Sequence, residues 1–202
     1  MMSNVIQSTE GSFVYQLKRA TDNKQDILIH FSASKFVTVL GSHGKCHVQN
    51  MLIDELSRAT PKDYRVIILQ PGSSEVSNAL SQGRPLQELI WMSAYLISDG
   101  KLLPGCQRDD VIQLNMWPNL TRLVRSPNMC RIAALFSARP TSIELAARIL
   151  AVPLEEMFQF YSAASYAGYT TAINRPTETL RLKPHRRQSL IKKLMVRLTQ
   201  TG

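Results

Sequence analysis

The sequence predicts an α+β fold: an N-terminal α/β domain over residues 1–117, then a largely helical domain over residues 118–202 ending in a basic C-terminal helix. Three observations carry this. Runs of β-branched and aromatic residues of strand length alternate with amphipathic segments in the first half. The second half reads almost wholly at helical period. Between them, Trp117-Pro118-Asn119-Leu120 is turn chemistry and marks the boundary. With 202 residues, 44% of them hydrophobic and 19% charged, the chain can bury one large core or two small ones, and disorder throughout is excluded.

In chain order, Ser12–Ala20 predicts a short helix with Phe13, Val14 and Leu17 apolar, stopped by Thr21-Asp22-Asn23-Lys24. Ile27–Phe31 and Phe36–Leu40 predict strands. Met51–Ala59 predicts a helix with Asn50 as its N-cap and Pro61 beyond its end. Tyr64–Leu69 is a nearly continuous apolar run, the pattern of a strand buried on both faces. After Pro71-Gly72-Ser73-Ser74, a helix is expected over Glu75–Ser81. Leu86–Ser98 follows Pro85 with Leu86, Leu89, Ile90, Ala94 and Ile97 on one face, and Val111–Met116 predicts another strand.

The second half opens with a helix to Ala138, Ser126 capping and Pro127 in the first turn. Thr141-Ser142 ahead of Glu144 starts the next helix, and Val152-Pro153 ends it and starts a third, Leu154–Ala167. Gly168 terminates that helix and Tyr169–Ile173 predicts a strand. This order, and in particular Ser142–Leu150, Pro153-Leu154-Glu155-Glu156 and Tyr166-Ala167-Gly168-Tyr169, resembles the winged-helix superfamily over Ser126–Ile173. The resemblance implies either DNA binding or service as a protein-interaction module.

The residues of Leu154–Tyr166 favour the second. Glu155 and Glu156 stand where phosphates would approach, and no Arg or Lys follows to read base edges. Met157, Phe158, Phe160, Tyr161 and Tyr166 cannot all lie on one stripe, so aromatic area is expected either to face a partner or to pack on the first half. Glu155, Phe158, Gln159, Phe160 and Ser162 are the expected partner-binding residues. Charge keeps a second class open. From Thr171 onward, Arg175, Arg181, Lys183, Arg186, Arg187, Lys192, Lys193 and Arg197 against Glu178 give +7, within a total of +9. Such a tail suits a polyanion, and these eight residues are the candidate nucleic-acid contacts, by backbone rather than base. The amphipathic stretch Gln188–Gln200 also suits an anionic membrane surface or simple docking on the core.

Catalytic and ligand motifs are weak. Gly41-Ser42-His43-Gly44-Lys45-Cys46 follows a strand and precedes a helix, as a phosphate loop does. It is two residues short between its glycines, and Cys46 occupies the place of the magnesium-binding hydroxyl. The alternative is a glycine turn between strands. His43, Cys46 and His47 match no zinc spacing, no G-x-S-x-G is present, and Asp54-Glu55 and Asp109-Asp110 are sequence neighbours whose side chains point apart. Trp91 and Trp117 read as core anchors. No cofactor or metal is expected. Three scattered cysteines, no apolar span of membrane length and no secretory pattern at Met1-Met2-Ser3-Asn4 suggest a cytoplasmic protein. The expected function is therefore a non-enzymatic regulatory or adaptor protein acting by protein–protein interaction, with nucleic-acid binding through the tail as the alternative.

Overall fold

A computed structural model describes residues 12–123 and 126–174. Its elements run α1 (Phe13–Asp22), β1 (Asp26–Ser32), β2 (Lys35–Leu40), β3 (Lys45–Gln49), α2 (Ile53–Arg58), β4 (Arg65–Ile68), α3 (Ser74–Gln82), β5 (Arg84–Pro85), α4 (Leu86–Ser98), β6 (Val111–Leu114), α5 (Met129–Ala138), β7 (Thr141–Ser142), α6 (Ile143–Leu150), α7 (Leu154–Tyr166) and β8 (Thr170–Ala172). The fold is α+β. Two antiparallel sheets form, one in the order β4-β1-β2-β3-β5 and one in the order β7-β6-β8. No helix among the described residues is long and apolar enough to cross a membrane.

The first sheet buries one face. Ile27 and Ile29 of β1 stand opposite Val39 and Val37 of β2, and all four are buried. α1, α2 and α4 supply the rest of that core with Phe13, Leu17, Leu56, Leu89 and Trp91. α3 covers part of the other face with Val76 and Ala79, against Leu40; its N-cap is Ser73, whose hydroxyl accepts from the Val76 N–H at 3.4 Å.

The second sheet is built across the expected domain boundary. β6 precedes Trp117 yet lies between β7 and β8, with Ile112 paired to both Thr141 and Ala172. β8 thus pairs with a strand that comes before the three helices. α4 and α7 lie against each other, and one buried cluster runs through both halves. At its centre, the Phe160 ring meets Trp91 edge-on at 5.4 Å and stacks on Phe136 at 6.1 Å; Trp91 also meets Tyr169 at 5.5 Å. α4 ends in left-handed Asp99 (φ 44°) and Gly100 (φ 79°). A Cβ on Gly100 would come within 3.1 Å of the Glu155 Cβ, so glycine lets the end of α4 reach the start of α7.

Several local expectations are corrected. Asn50 does not cap α2: it takes a left-handed turn (φ 53°), its amide donates to the Ser34 carbonyl at 3.1 Å, and Leu52 holds the N-cap position. α5 begins at Met129 behind Asn128, so Ser126 is not its cap. Trp91 is fully buried, but Trp117 is 54% exposed and anchors nothing. Tyr64–Leu69 is not a strand buried on both faces. β4 lies at the edge of its sheet, paired only with β1 among the described strands, and every residue of it is exposed.

Candidate functional site

The helix expected to meet a partner is the centre of the core. Phe160 is 1% exposed and Ser162 is fully buried, which removes both from the candidate interface. Phe160 is held by Trp91 and Phe136, while the Ser162 hydroxyl accepts from the Leu103 N–H at 3.1 Å. Phe158 is half-buried and packed on the same core. Gln159 is also half-buried, and its amide donates to the Tyr95 carbonyl at 3.5 Å. Of the five expected partner-binding residues only Glu155 is exposed. α7 is sandwiched between α4 and the α5–α6 pair, and that accounts for its surplus of aromatic residues without a partner.

The neighbouring helix α6 differs. Ser142 caps it, its hydroxyl accepting from the Leu145 N–H at 3.4 Å. Ala151 closes it in a left-handed conformation, φ 51°. Ile143 and Ala146 face inward and are fully buried. Leu145 and Ile149, about 200° and 240° round the helix from Ile143, stand 47% and 46% exposed. One eight-residue helix therefore carries two apolar stripes, only one of them packed among the described residues. Exposed Arg148 lies between Leu145 and Ile149 in sequence, and Glu144 pairs with Arg108 on the same helix's first turn. The sequence contains the signal: Ile143, Leu145, Ala146, Ile149 and Leu150 are too many and too widely spread for one stripe.

A buried polar network ties this half together. The Tyr161 hydroxyl and the Gln107 N–H, the latter at 2.7 Å, both donate to Asp110 Oδ2, and the Ile143 N–H donates to the Asp110 carbonyl at 3.3 Å. Asp110 is fully buried, so the Asp109-Asp110 pair divides its labour between a surface residue and a structural one.

The glycine-rich segment is a hairpin turn. Gly41–Gly44 joins β2 to β3, and Cys46 and His47 continue β3 rather than entering a helix. The setting of a phosphate loop is absent, which corrects that expectation. Gly41 serves packing: a Cβ there would sit 2.1 Å from the Ala20 carbonyl oxygen. Ser42 donates to Asp26 through its hydroxyl (2.7 Å) and its N–H (3.1 Å), closing the turn onto β1.

Beside β3 lies a cleft of about 810 Å³ between β3, the segment before α2, β5 and α4, with an apolar wall of Met51, Ile53, Leu89 and Met92. Its polar lining includes Glu88, 8% exposed at the side chain, with Arg122 Nη1 3.7 Å away. Burial, with the nearby Glu88 carboxylate, pushes the Cys46 thiol up to about 12, so at neutral pH it is a protonated, unreactive group. Among the described residues no group of three His, Cys, Asp or Glu side chains could hold a metal ion.

Arg175, Arg181, Lys183, Arg186, Arg187, Lys192, Lys193 and Arg197 lie outside the described residues. Compared with protein-family models, curated proteins and solved structures, the chain matches none.

Proposed function

We propose that this is a non-enzymatic regulatory or adaptor protein whose winged-helix-like half binds another protein through the outer face of α6. The observation that carries this reading is the exposed pair Leu145 and Ile149, one turn apart on a helix whose other stripe is already packed. Side chains at i and i+4 form a continuous apolar strip, the anchor spacing used in helix-mediated recognition. The cationic Arg148 and the Arg108–Glu144 pair supply a polar rim. α7 supports the site from below and takes no direct part. Cys46 is held as a thiol and Gly41–Gly44 is the turn between β2 and β3, so the reading rests on α6 and on neither of these.

The test is photo-crosslinking from Leu145 in the full chain, with the captured protein then titrated against Leu145→Asp/Ile149→Asp. Both side chains are half exposed, so the double variant keeps its fold. Loss of binding by at least tenfold is expected, with Glu155→Lys binding as the parent does. Undiminished binding by the double variant overturns the assignment.

A second reading rests on the +7 carried by the residues from Thr171 onward. In it the tail binds nucleic acid along the phosphate backbone, independently of sequence. Fluorescence anisotropy with duplex and single-stranded DNA would then show affinity falling with salt at a slope of about −0.9 per duplex phosphate neutralised. Reversal of Lys192, Lys193 and Arg197 to Glu would abolish it. Absence of binding at near-physiological salt removes this reading.

A further inference from the structure

β4 is an outer strand of the five-stranded sheet, and among the described residues no strand lies on its far side. Its register with β1 sets Ile68 opposite Ile27, Ile67 opposite Leu28, Val66 opposite Ile29 and Arg65 opposite His30. The Leu69 N–H donates to the Asp26 carbonyl at 2.9 Å, which marks that pair as hydrogen-bonded. Alternation along an antiparallel ladder then makes 28–67 and 30–65 hydrogen-bonded pairs as well. Arg65, Ile67 and Leu69 direct their backbone groups to β1, and Val66 and Ile68 direct theirs outward. The side chains are also open, with Val66 42%, Ile67 48% and Ile68 61% exposed. Folded proteins usually blunt such an edge with lysine, proline or a bulge. β4 is short and carries one charge, Arg65, but Val66–Ile68 has no charge, proline or bulge.

We propose that β4 pairs antiparallel with β4 of a second copy of this chain, the two-fold axis passing Ile67, so that two five-stranded sheets become one. The strand is self-complementary in this register. Ile67 faces Ile67 in a non-hydrogen-bonded pair, and Val66 and Ile68 exchange their outward backbone bonds with Ile68 and Val66 of the other copy. Val66 and Ile68 lie on the face of Ile29 and Ile27, so the buried rows of the two sheets become continuous. A register centred on Arg65 would oppose like charges, and one centred on Ile68 would set Val66 against Gln70.

Charge favours the Ile67 register too. Each Arg65 stands opposite Leu69 of the other copy, whose neighbour across the ladder on the same face is Asp26. The guanidinium must then cross two strand spacings, about 10 Å of sheet, to an aspartate fixed in place by Ser42 at 2.7 Å. A long arginine side chain and the aspartate together span that gap. The paired ladder is short and buries less than the 1,200–2,000 Å² or so of a standard interface, so a micromolar dimer is expected.

Sedimentation velocity on the full chain, followed from micromolar to millimolar concentration, tests this together with cysteine trapping. In a Cys130→Ser background, Ile67→Cys should form a disulfide dimer under mild oxidation, because opposed non-hydrogen-bonded residues bring their Cα atoms to about 4.5 Å. Val66→Cys alone should not, since it lies diagonal to its own copy. A mixture of Val66→Cys and Ile68→Cys should. Ile67→Lys, at an exposed side chain that leaves the fold intact, should weaken the dimer at least tenfold. A wild-type chain that stays monomeric throughout, a dimer untouched by Ile67→Lys, or Ile67→Cys that fails to cross-link overturns the proposal.

Discussion

β4 and α7 are both rich in large apolar side chains, and they meet opposite fates. α7 is enclosed by α4, α5, α6 and β8, so its aromatics are the densest part of the core: Phe160 is 1% exposed and Tyr161 2%. Among the described residues β4 pairs with one strand, β1, and its three aliphatic residues stay exposed. Apolar content says that a segment gains by burial. Which segments are buried depends on how many neighbours the topology provides.

The sharpest way to break this comparison is to truncate the same kind of side chain in both places. Phe160→Ala removes a ring held between Trp91 and Phe136 and should cost about 3–5 kcal/mol in urea unfolding. If Phe160→Ala cost less than about 1 kcal/mol, α7 would not be the shared centre of the two halves. Tyr161→Phe keeps the ring and deletes the hydroxyl that donates to buried Asp110, with an expected loss of about 1–3 kcal/mol. The same measurement reads it, and a neutral result would mean that Asp110 is satisfied without Tyr161.

The sheet side of the core gives a smaller, pH-dependent effect. Burial raises the Cys46 thiol from its ordinary 9.0 to about 12, and raises Cys106 as well. In the unfolded chain these thiols ionise near 9, while the folded chain holds their protons. Stability is therefore unaffected well below pH 9 and falls as pH rises above it, approaching about 1.4 kcal/mol per pH unit for Cys46, with Cys106 acting in the same direction. Denaturation between pH 8 and 10 should show this alkaline decline, and Cys46→Ala should flatten part of it. A parent whose stability is level over that range would place Cys46 in contact with water.

Much of the local structure was legible. Strands β1 and β2 follow from β-branched runs, and Ser142, Pro153 and Gly168 bound their helices because capping, a fixed φ and a left-handed turn are properties of single residues. β3 was hidden because Lys45–Gln49 carries little apolar signal, and its pairing with β2 is supplied by the hairpin. Missing that strand is what made Gly41–Cys46 resemble a loop entering a helix. The boundary expected at Trp117 rests on turn chemistry alone, which cannot reveal that β6 pairs forward with β7 and β8. Of the expected partner-binding residues, Glu155 is exposed while Phe160 and Ser162 are buried, since exposure on α7 is decided by α4 and the segment after it, some sixty residues away in sequence. Leu145 and Ile149 were readable as surplus apolar residues, though not as exposed ones.

The smallest expected effect completes the contrast. Ile67→Lys replaces a side chain that is 48% exposed and whose backbone bonds to β1 survive the change. Lysine extends past the edge into water and its stem keeps covering the strand, so monomer stability should move by no more than about 0.5 kcal/mol. Thermal unfolding at low micromolar concentration, where self-association contributes least, is the measurement. A loss near that of Phe160→Ala would show that Ile67 supports the core after all. A negligible loss at low concentration that grows at high concentration separates the two roles: α7 holds each chain together, and β4 acts between chains.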